Sequence, residues 1–272
     1  MSATVEVVSL HCYPVKSCRA VDRHVARITN SGLPFDREWM IVDAHGGFLT
    51  QRTHPQLALI TPTVDAAQLV LRCDGQRELR IALGTPGSER EVEIWDARTS
   101  ALDCGDAAAE WCSAAVGEPV RLVRANPAAP RRANSKYSGT VQAPLRFPDG
   151  YPILLIAQES LDALNARLES SLPMNRFRPN IVIRGAGPHA EDAFSEFAAG
   201  SLVLRAVKPC TRCRITMTDQ LTGRLTGDDE PLRTLKTYRW DRTLHGVAFG
   251  QNCVVASGAG AALAVADRLV CR

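Results

Sequence analysis

VEVVSLHCYPVKSC, residues 5–18, sets the terms on which the chain is read. An apolar, β-branched run ends at Pro14, whose ring removes a ladder donor, and the turn beyond it presents Lys16 and Ser17. Similar short runs follow at VARIT (25–29), EWMIVD (38–43), LALITPTV (57–64), LVLRC (69–73), LRIAL (79–83) and EVEIW (91–95). Turn-rich segments such as DAHGG (43–47) and GTPGSE (84–89) separate them. This half therefore reads as a twisted antiparallel sheet or barrel. One helix interrupts it, DAAAEWCSAAV (106–116), with Asp103 or Asp106 as the expected cap and Gly117 after its end.

Residues 125–150 are rich in Pro, Ala, Ser and Gly and carry no clear period. Unstructured connections beyond about 12–15 residues are uncommon in compact domains, so this one reads as a connection or active-site loop. After it, YPILLIA (151–157) and PNIVIRG (179–185) read as strands around an amphipathic helix, ESLDALNARLESS (159–171). GSLVLRAVKP (200–209), CRITMTD (213–219) and GVAFGQNCVVAS (246–257) add further strands. The expected class is α+β and β-rich, a sheet or barrel in the first half followed by a β-rich second half with one or two packed helices.

Thirty-two basic against 29 acidic side chains give a net charge of +3, which does not mark a dedicated nucleic-acid binder. No apolar stretch reaches the roughly 18 residues of a membrane span. The opening MSATVEVVSL has neither the basic nor the long apolar region of a secretory signal, and nine cysteines is an odd count. A reducing cytoplasmic setting is expected, with cysteines that pack, bind metal or react.

The sharpest chemical feature is KPCTRCRITMTDQLTG (208–223), in which Cys210 and Cys213 flank Thr211 and Arg212. A zinc half-site is one reading, although structural zinc takes four ligands and no second Cys or His pair matches it. A thiol–disulfide motif is another, but that motif opens a helix in a βαβ setting, whereas β-like sequence follows here. A soft thiolate ligand for a metal held mainly by something other than protein is the third. Two packed core cysteines are the plain alternative. Elsewhere, Lys16 and Ser17 suit a phosphate or other polyanion. Arg37 in FDREW (35–39), and Arg178 with Asn180 in FRPNIVI (177–183), stand at strand entries, where a single arginine is more often a surface residue.

YPVKSC, DREW, FRPNIVI, PCTRC with its following TG, LKTYR (235–239) and FGQ (249–251) occur in this order over nearly the whole chain. Taken together, the chain resembles the MOSC superfamily with its N-terminal MOSC β-barrel, in the branch that contains the mitochondrial amidoxime-reducing component. The resemblance implies a MOSC N-terminal β-barrel domain over 1–124 and a MOSC domain over 125–272 that binds the molybdenum cofactor, molybdopterin with its metal. It makes Cys213 the protein's ligand to molybdenum and the catalytic centre. It also implies that Lys16, Ser17, Arg37, Arg178 and Asn180 contact the pterin and its phosphate. Thr211 and Arg212 would flank the ligand, Asp149, Gly150 and Tyr151 would approach it from a loop, and Cys210 would lie behind. The implied activity is reduction of N-hydroxylated or N-oxygenated small molecules, with the alternative of a cofactor carrier or sulfur-transfer module. The sequence carries no Cys-x4-Cys-x2-Cys pattern of a plant-type ferredoxin, so electrons are expected from a separate iron–sulfur or haem protein.

Overall fold

The opening run forms a ten-residue strand, Ala3–Cys12, in a computed structural model that describes residues 3–272. Met1 and Ser2, part of the N-terminal reading, lie outside the described residues. This strand pairs on one side with Ile181–Arg184 and on the other with Arg268–Cys271. A register shift between Val7 and Ser9 moves the buried phase from Val5 and Val7 to Leu10, so all three side chains enter one core.

Around that core the strands run in the order Ile153–Ala157, Ile181–Arg184, Ala3–Cys12, Arg268–Cys271, Glu196–Ala199, Leu202–Thr211, Gly246–Ser257. Pairing of Ile153 with Cys253 then joins the last to the first. Closure removes both free edges of the circuit, which otherwise would present unpaired backbone groups. Every pairing is antiparallel except that of Ile153–Ala157 with Ile181–Arg184. That parallel pair needs a crossover, which the helix Gln158–Asn165 supplies. The first strand thus completes a barrel otherwise built from the second half of the chain.

Val21–Arg23 pairs with the first strand and Val25–Arg27 with Ala262–Ala264, while the later N-terminal strands form a curled half-barrel. Its sheets follow the orders Trp39–Val42, Arg121–Ala125, Ala97–Asp103, Glu89–Ile94 and Thr61–Val64, Gln68–Arg72, Leu79–Ala82. The helix Asp106–Val116 packs its buried Ala108, Cys112 and Val116 against Trp39, Leu57, Leu69 and Leu122. A β-rich fold with few helices is therefore present. Among the described residues no helix is long and apolar enough to cross a membrane.

Several local expectations are corrected. The helix at 106 is capped by neither aspartate: Gly105, at φ 91°, holds the cap position and Asp106 is already helical. Asp103 instead accepts from the Gly105 amide at 2.8 Å and from Arg121 at 2.5 and 2.8 Å. Gly117 does end the helix in the left-handed region, at φ 92°. The helix read over 159–171 stops at Asn165, whose amide group exchanges two hydrogen bonds with the backbone of Leu172 and turns the chain back. CRITMTD is a strand only at its end, Thr218–Asp219, which pairs with Arg224–Leu225. After Cys213 the chain makes a 3-10 turn, Arg214–Met217, because the Thr216 amide and hydroxyl both donate to the Cys213 carbonyl. The connection 125–150 is partly ordered by the ladder Arg131–Arg132 with Pro144–Leu145 and the short helix Ser135–Ser138.

Candidate active site

The first strand does not stop at the barrel. Beyond Pro14 it bridges at Val15 to Trp39 of the half-barrel, and the Lys16 amide donates to the Trp39 carbonyl at 2.8 Å. Lys16 and Ser17 consequently sit where the two lobes meet. A cleft with a cavity volume of about 120 Å³ opens there. Its wall carries Lys16, Ser17 and Arg37 from the N-terminal side, and Asp149, Gly150 and Tyr151 from the connection. Arg178, Asn180, Cys210 and Arg212 come from the second barrel. Thr211 is exposed and is not on the wall; nor is Cys213, although its sulfur accepts a hydrogen bond from Arg52, which is.

Three of the residues singled out from sequence have left-handed backbones: Ser17 at φ 66°, Arg37 at φ 47° and Arg178 at φ 55°. Such angles are uncommon for residues with a side chain and persist where surrounding structure over-determines them. For Arg37 the restraints are visible. Its amide donates to the Tyr13 carbonyl at 2.7 Å, and its carbonyl accepts from the Phe147 amide at 2.8 Å. The side chain is held by Asp36 at 2.5 Å and by Asn180 Oδ1 at 2.9 Å. Asn180 is itself fully engaged, donating to the His11 carbonyl and to Asp36 while its oxygen also accepts from the Leu154 amide.

Arg178 is held differently. Its guanidinium and that of Arg37 each lie 4.3 Å from the centre of the Tyr13 ring. It is buried, yet it forms no salt bridge among the described residues, and its closest side-chain acceptor is Gln220 Oε1 at 3.5 Å. Burial brings this guanidinium down to about 10, with Tyr13 opposing and Arg37 adding to the shift. A buried cation without a counter-charge is costly unless an anion completes the site. Lys16 is buried too; burial pushes its ammonium below the usual lysine range, while Asp149 pulls the other way. It donates to the Phe147 carbonyl at 2.9 Å and pairs with Asp149. Removal from solvent opposes ionisation of Asp149, but Lys16 and Arg52 outweigh it and hold the carboxyl well below the ordinary carboxylate range. Lys16, Arg37, Arg52, Arg178 and Arg212 thus face one another across the cleft with Asp149 as its acidic wall residue.

Cys213 closes the long strand Leu202–Thr211, just after the Arg212 amide bonds the Val247 carbonyl at 2.7 Å. Arg212 donates to the Cys210 sulfur at 2.9 Å and to the Phe177 carbonyl at 2.6 Å, while its Nε is buried without a partner. Among the described residues no group of three His, Cys, Asp or Glu side chains stands together as a metal cage, so no protein-only zinc quartet is formed around the cysteines. Sequence reasoning missed Arg52 and the pair Gln51 and Gln220. Gln220 donates to Gln51 at 2.8 Å, and Gln51 donates to the Ser17 carbonyl at 2.6 Å. None of these has a local signature, because a glutamine or arginine after a strand is ordinary until the tertiary fold gives it a partner.

The profile of the MOSC N-terminal beta barrel domain matches residues 4–119, and that of the MOSC domain matches residues 142–269. The chain is 34% identical over 264 residues to mitochondrial amidoxime-reducing component 1 of Homo sapiens, covering 92% of this chain and 78% of that protein. It is 33% identical to the Mus musculus protein of the same name, over 86% of this chain and 71% of the other. It is also 31% identical to the molybdenum cofactor sulfurase of Oryza sativa subsp. japonica, over 86% of this chain but only 31% of the plant protein. The chain belongs to the MOSC family, as a member that carries the MOSC N-terminal beta barrel ahead of the MOSC domain.

Proposed function

We propose that this chain is a cytoplasmic molybdenum cofactor-dependent reductase of N-hydroxylated or N-oxygenated small molecules, supplied with electrons by a separate iron–sulfur or haem protein. The observation that carries the cofactor assignment is Arg178, a buried guanidinium without a carboxylate partner on the wall of a cleft rich in cations. The donor chemistry fits a polyanionic pterin cofactor: ammonium, guanidinium and hydroxyl groups for a phosphate, and the Asn180 amide fixed beside them. Bound there, the cofactor supplies two-electron oxygen-atom chemistry at molybdenum, with Cys213 as the protein's thiolate ligand.

The chain's own residues have distinct tasks in this reading. Lys16, Ser17 and Arg178 neutralise and hold the anionic end, and the Asp36–Arg37–Asn180 network keeps two of the donor side chains from turning. Arg212 buttresses the strand end by tying it to Phe177 and Cys210. Asp149, with Gly150 and Tyr151, forms the opposite wall and, as the counter-charge to Lys16, opposes the effect of burial on its ammonium. A second reading, a carrier or sulfur-transfer module, draws on the similarity to molybdenum cofactor sulfurase.

The test is reduction of benzamidoxime by protein purified from a cofactor-producing host, with reduced methyl viologen as donor. Molybdenum at about one per chain and turnover that Cys213→Ser abolishes and Cys210→Ser largely retains support the reductase. Equal loss from both substitutions, with zinc in place of molybdenum, overturns the cofactor assignment. Molybdenum without turnover by any donor favours the carrier.

A further inference from the structure

Arg52 spends every nitrogen of its guanidinium on a different partner. Nε donates to the Cys213 sulfur at 3.2 Å, Nη2 to Asp149 Oδ2 at 3.1 Å and Nη1 to Thr50 Oγ1 at 3.0 Å. Those contacts join three separate parts of the fold, because Arg52 belongs to the half-barrel, Asp149 to the connection and Cys213 to the end of a barrel strand. The guanidinium plane is also held from outside. Its carbon lies 4.7 Å from the centre of the Trp95 ring, and Phe48 meets that ring edge-on at 5.1 Å. Lys16 approaches the Phe48 ring at 5.1 Å and pairs with Asp149, so the contacts run in a closed circuit from Asp149 through Arg52, Trp95, Phe48 and Lys16.

Trp95 itself is unusual. It stands at the turn between Glu89–Ile94 and Ala97–Asp103 with φ 55°, and 44% of it remains exposed. A bulky side chain in the left-handed region is an outlier that costs stability, and an exposed indole recovers little by burial. Its contact with Arg52 gives that conformation a purpose.

We propose that Arg52, braced by Trp95, is a positioning residue that fixes the Cys213 sulfur and the Asp149 carboxylate relative to one another across the lobe boundary. The proposal rests on the reading of the cleft as a cofactor site with Cys213 as ligand. Partners outside the coordination sphere orient metal ligands and tune the metal, and a guanidinium fork can serve two acceptors at fixed spacing where an ammonium serves as a point charge. Among the described residues no other side chain of the half-barrel donates to the Cys213 sulfur.

The experiment compares the full-length parent with Arg52→Met, Arg52→Lys, Trp95→Leu and Trp95→Phe. Molybdenum content, the Mo(V) electron paramagnetic resonance signal after partial dithionite reduction, and amide hydrogen exchange are measured on each. Expected are molybdenum within about twofold of the parent in Arg52→Met, a changed set of g-values and a broader line, a partial return toward the parent in Arg52→Lys, and a smaller change in Trp95→Leu that Trp95→Phe reverses. A parental Mo(V) signal in Arg52→Met overturns the proposal. If the parent itself holds no molybdenum, the cofactor reading fails and the clamp is judged by exchange alone. It then predicts exchange roughly fivefold or more faster at Thr211–Met217 and Asp149–Tyr151 in Arg52→Met, with Ile181–Arg184 unchanged. Parental exchange in all three segments overturns it.

Discussion

Single side chains in the cleft divide by what they lack. Lys16 has a carboxylate partner in Asp149, whereas Arg178 is buried on the flank of Tyr13 without one. Removing Arg178 therefore takes away an uncompensated cation in the empty protein and a charged hydrogen bond in the loaded one. For Arg178→Ala and Lys16→Ala we expect cofactor binding to weaken by about 1.5–3 kcal/mol per lost charged hydrogen bond, roughly 10- to 150-fold. The cofactor-free melting temperature should fall less in Arg178→Ala than in Lys16→Ala, whose loss strands Asp149 beside one cation fewer. Unchanged cofactor content in both variants would take these residues out of the binding set. The identities of Lys16, Ser17, Arg37, Arg178 and Asn180 were legible because each sits in a short motif at a strand end. Their left-handed backbones were not, since φ 47° at Arg37 is imposed by Tyr13 and Phe147, residues distant in sequence or across the lobe boundary. Arg52 and Trp95 were invisible for the same reason.

Elements explain motifs that single residues do not. FGQ contains Gly250, at φ 83°, where an added Cβ would stand 2.6 Å from Ile156 Cγ1 and 2.9 Å from the Leu155 carbonyl oxygen. Both belong to the strand that closes the barrel, so glycine is needed for the backbone angle and for the close approach alike. Gly250→Ala is expected to cost about 2 kcal/mol or more, read as a lower urea midpoint with an unchanged slope; a parental midpoint refutes the packing argument. LKTYR meets the same region: Arg239 pairs with Asp192, which accepts from Gln251 at 2.8 Å. Next to Asp192, Glu191 is wholly buried and accepts from Ser160 at 2.8 Å, tying the 3-10 turn Ala190–Ala193 to the crossover helix. Burial raises its carboxyl above the usual range, and the hydrogen bonds from Ser160 and Ala157 only partly offset this. The folded state then holds the Glu191 proton more tightly than the unfolded chain. Stability from this group is complete below the unfolded value of about 4.3 and declines as pH rises through the raised folded value. Glu191→Gln removes that decline, so the variant's melting temperature relative to the parent should climb from pH 4 to pH 8, by about 2–4 °C for each kcal/mol involved. A difference that stays flat or shrinks with pH would refute it. Long apolar runs such as YPILLIA were readable as strands because periodicity and length agree there. The cap at Gly105 and the turn after Cys213 were not, because the former has no side chain and the latter is fixed by Thr216 reaching back to Cys213.

At the scale of the whole molecule, the cleft lies between lobes that the first strand and Arg52 stitch together, and the proposed reductase needs a route for electrons into it. A nicotinamide carrier delivers a hydride, and passing its electrons singly to another centre requires a flavin or similar group with its own pocket. The nearest approach to a dinucleotide fingerprint is GAGPHA, 185–190, which does follow the strand Ile181–Arg184. That segment leads into the 3-10 turn Ala190–Ala193 instead of a helix, so no helix N-terminus is presented to a pyrophosphate. The ferredoxin cysteine spacing is likewise missing from the sequence. We therefore expect the molybdenum-loaded chain to reduce benzamidoxime with reduced methyl viologen, or with a separate iron–sulfur or haem protein that is itself kept reduced. NADH or NADPH alone should give no turnover above the Cys213→Ser blank. The assay offers each donor in turn to the same preparation and follows benzamidine formation. Robust NADH-dependent turnover with no added protein would mean that the chain contains an electron-entry site, and the requirement for a partner would fall. Turnover restored only when the partner is added fixes the chain as the substrate-reducing end of a two-protein relay.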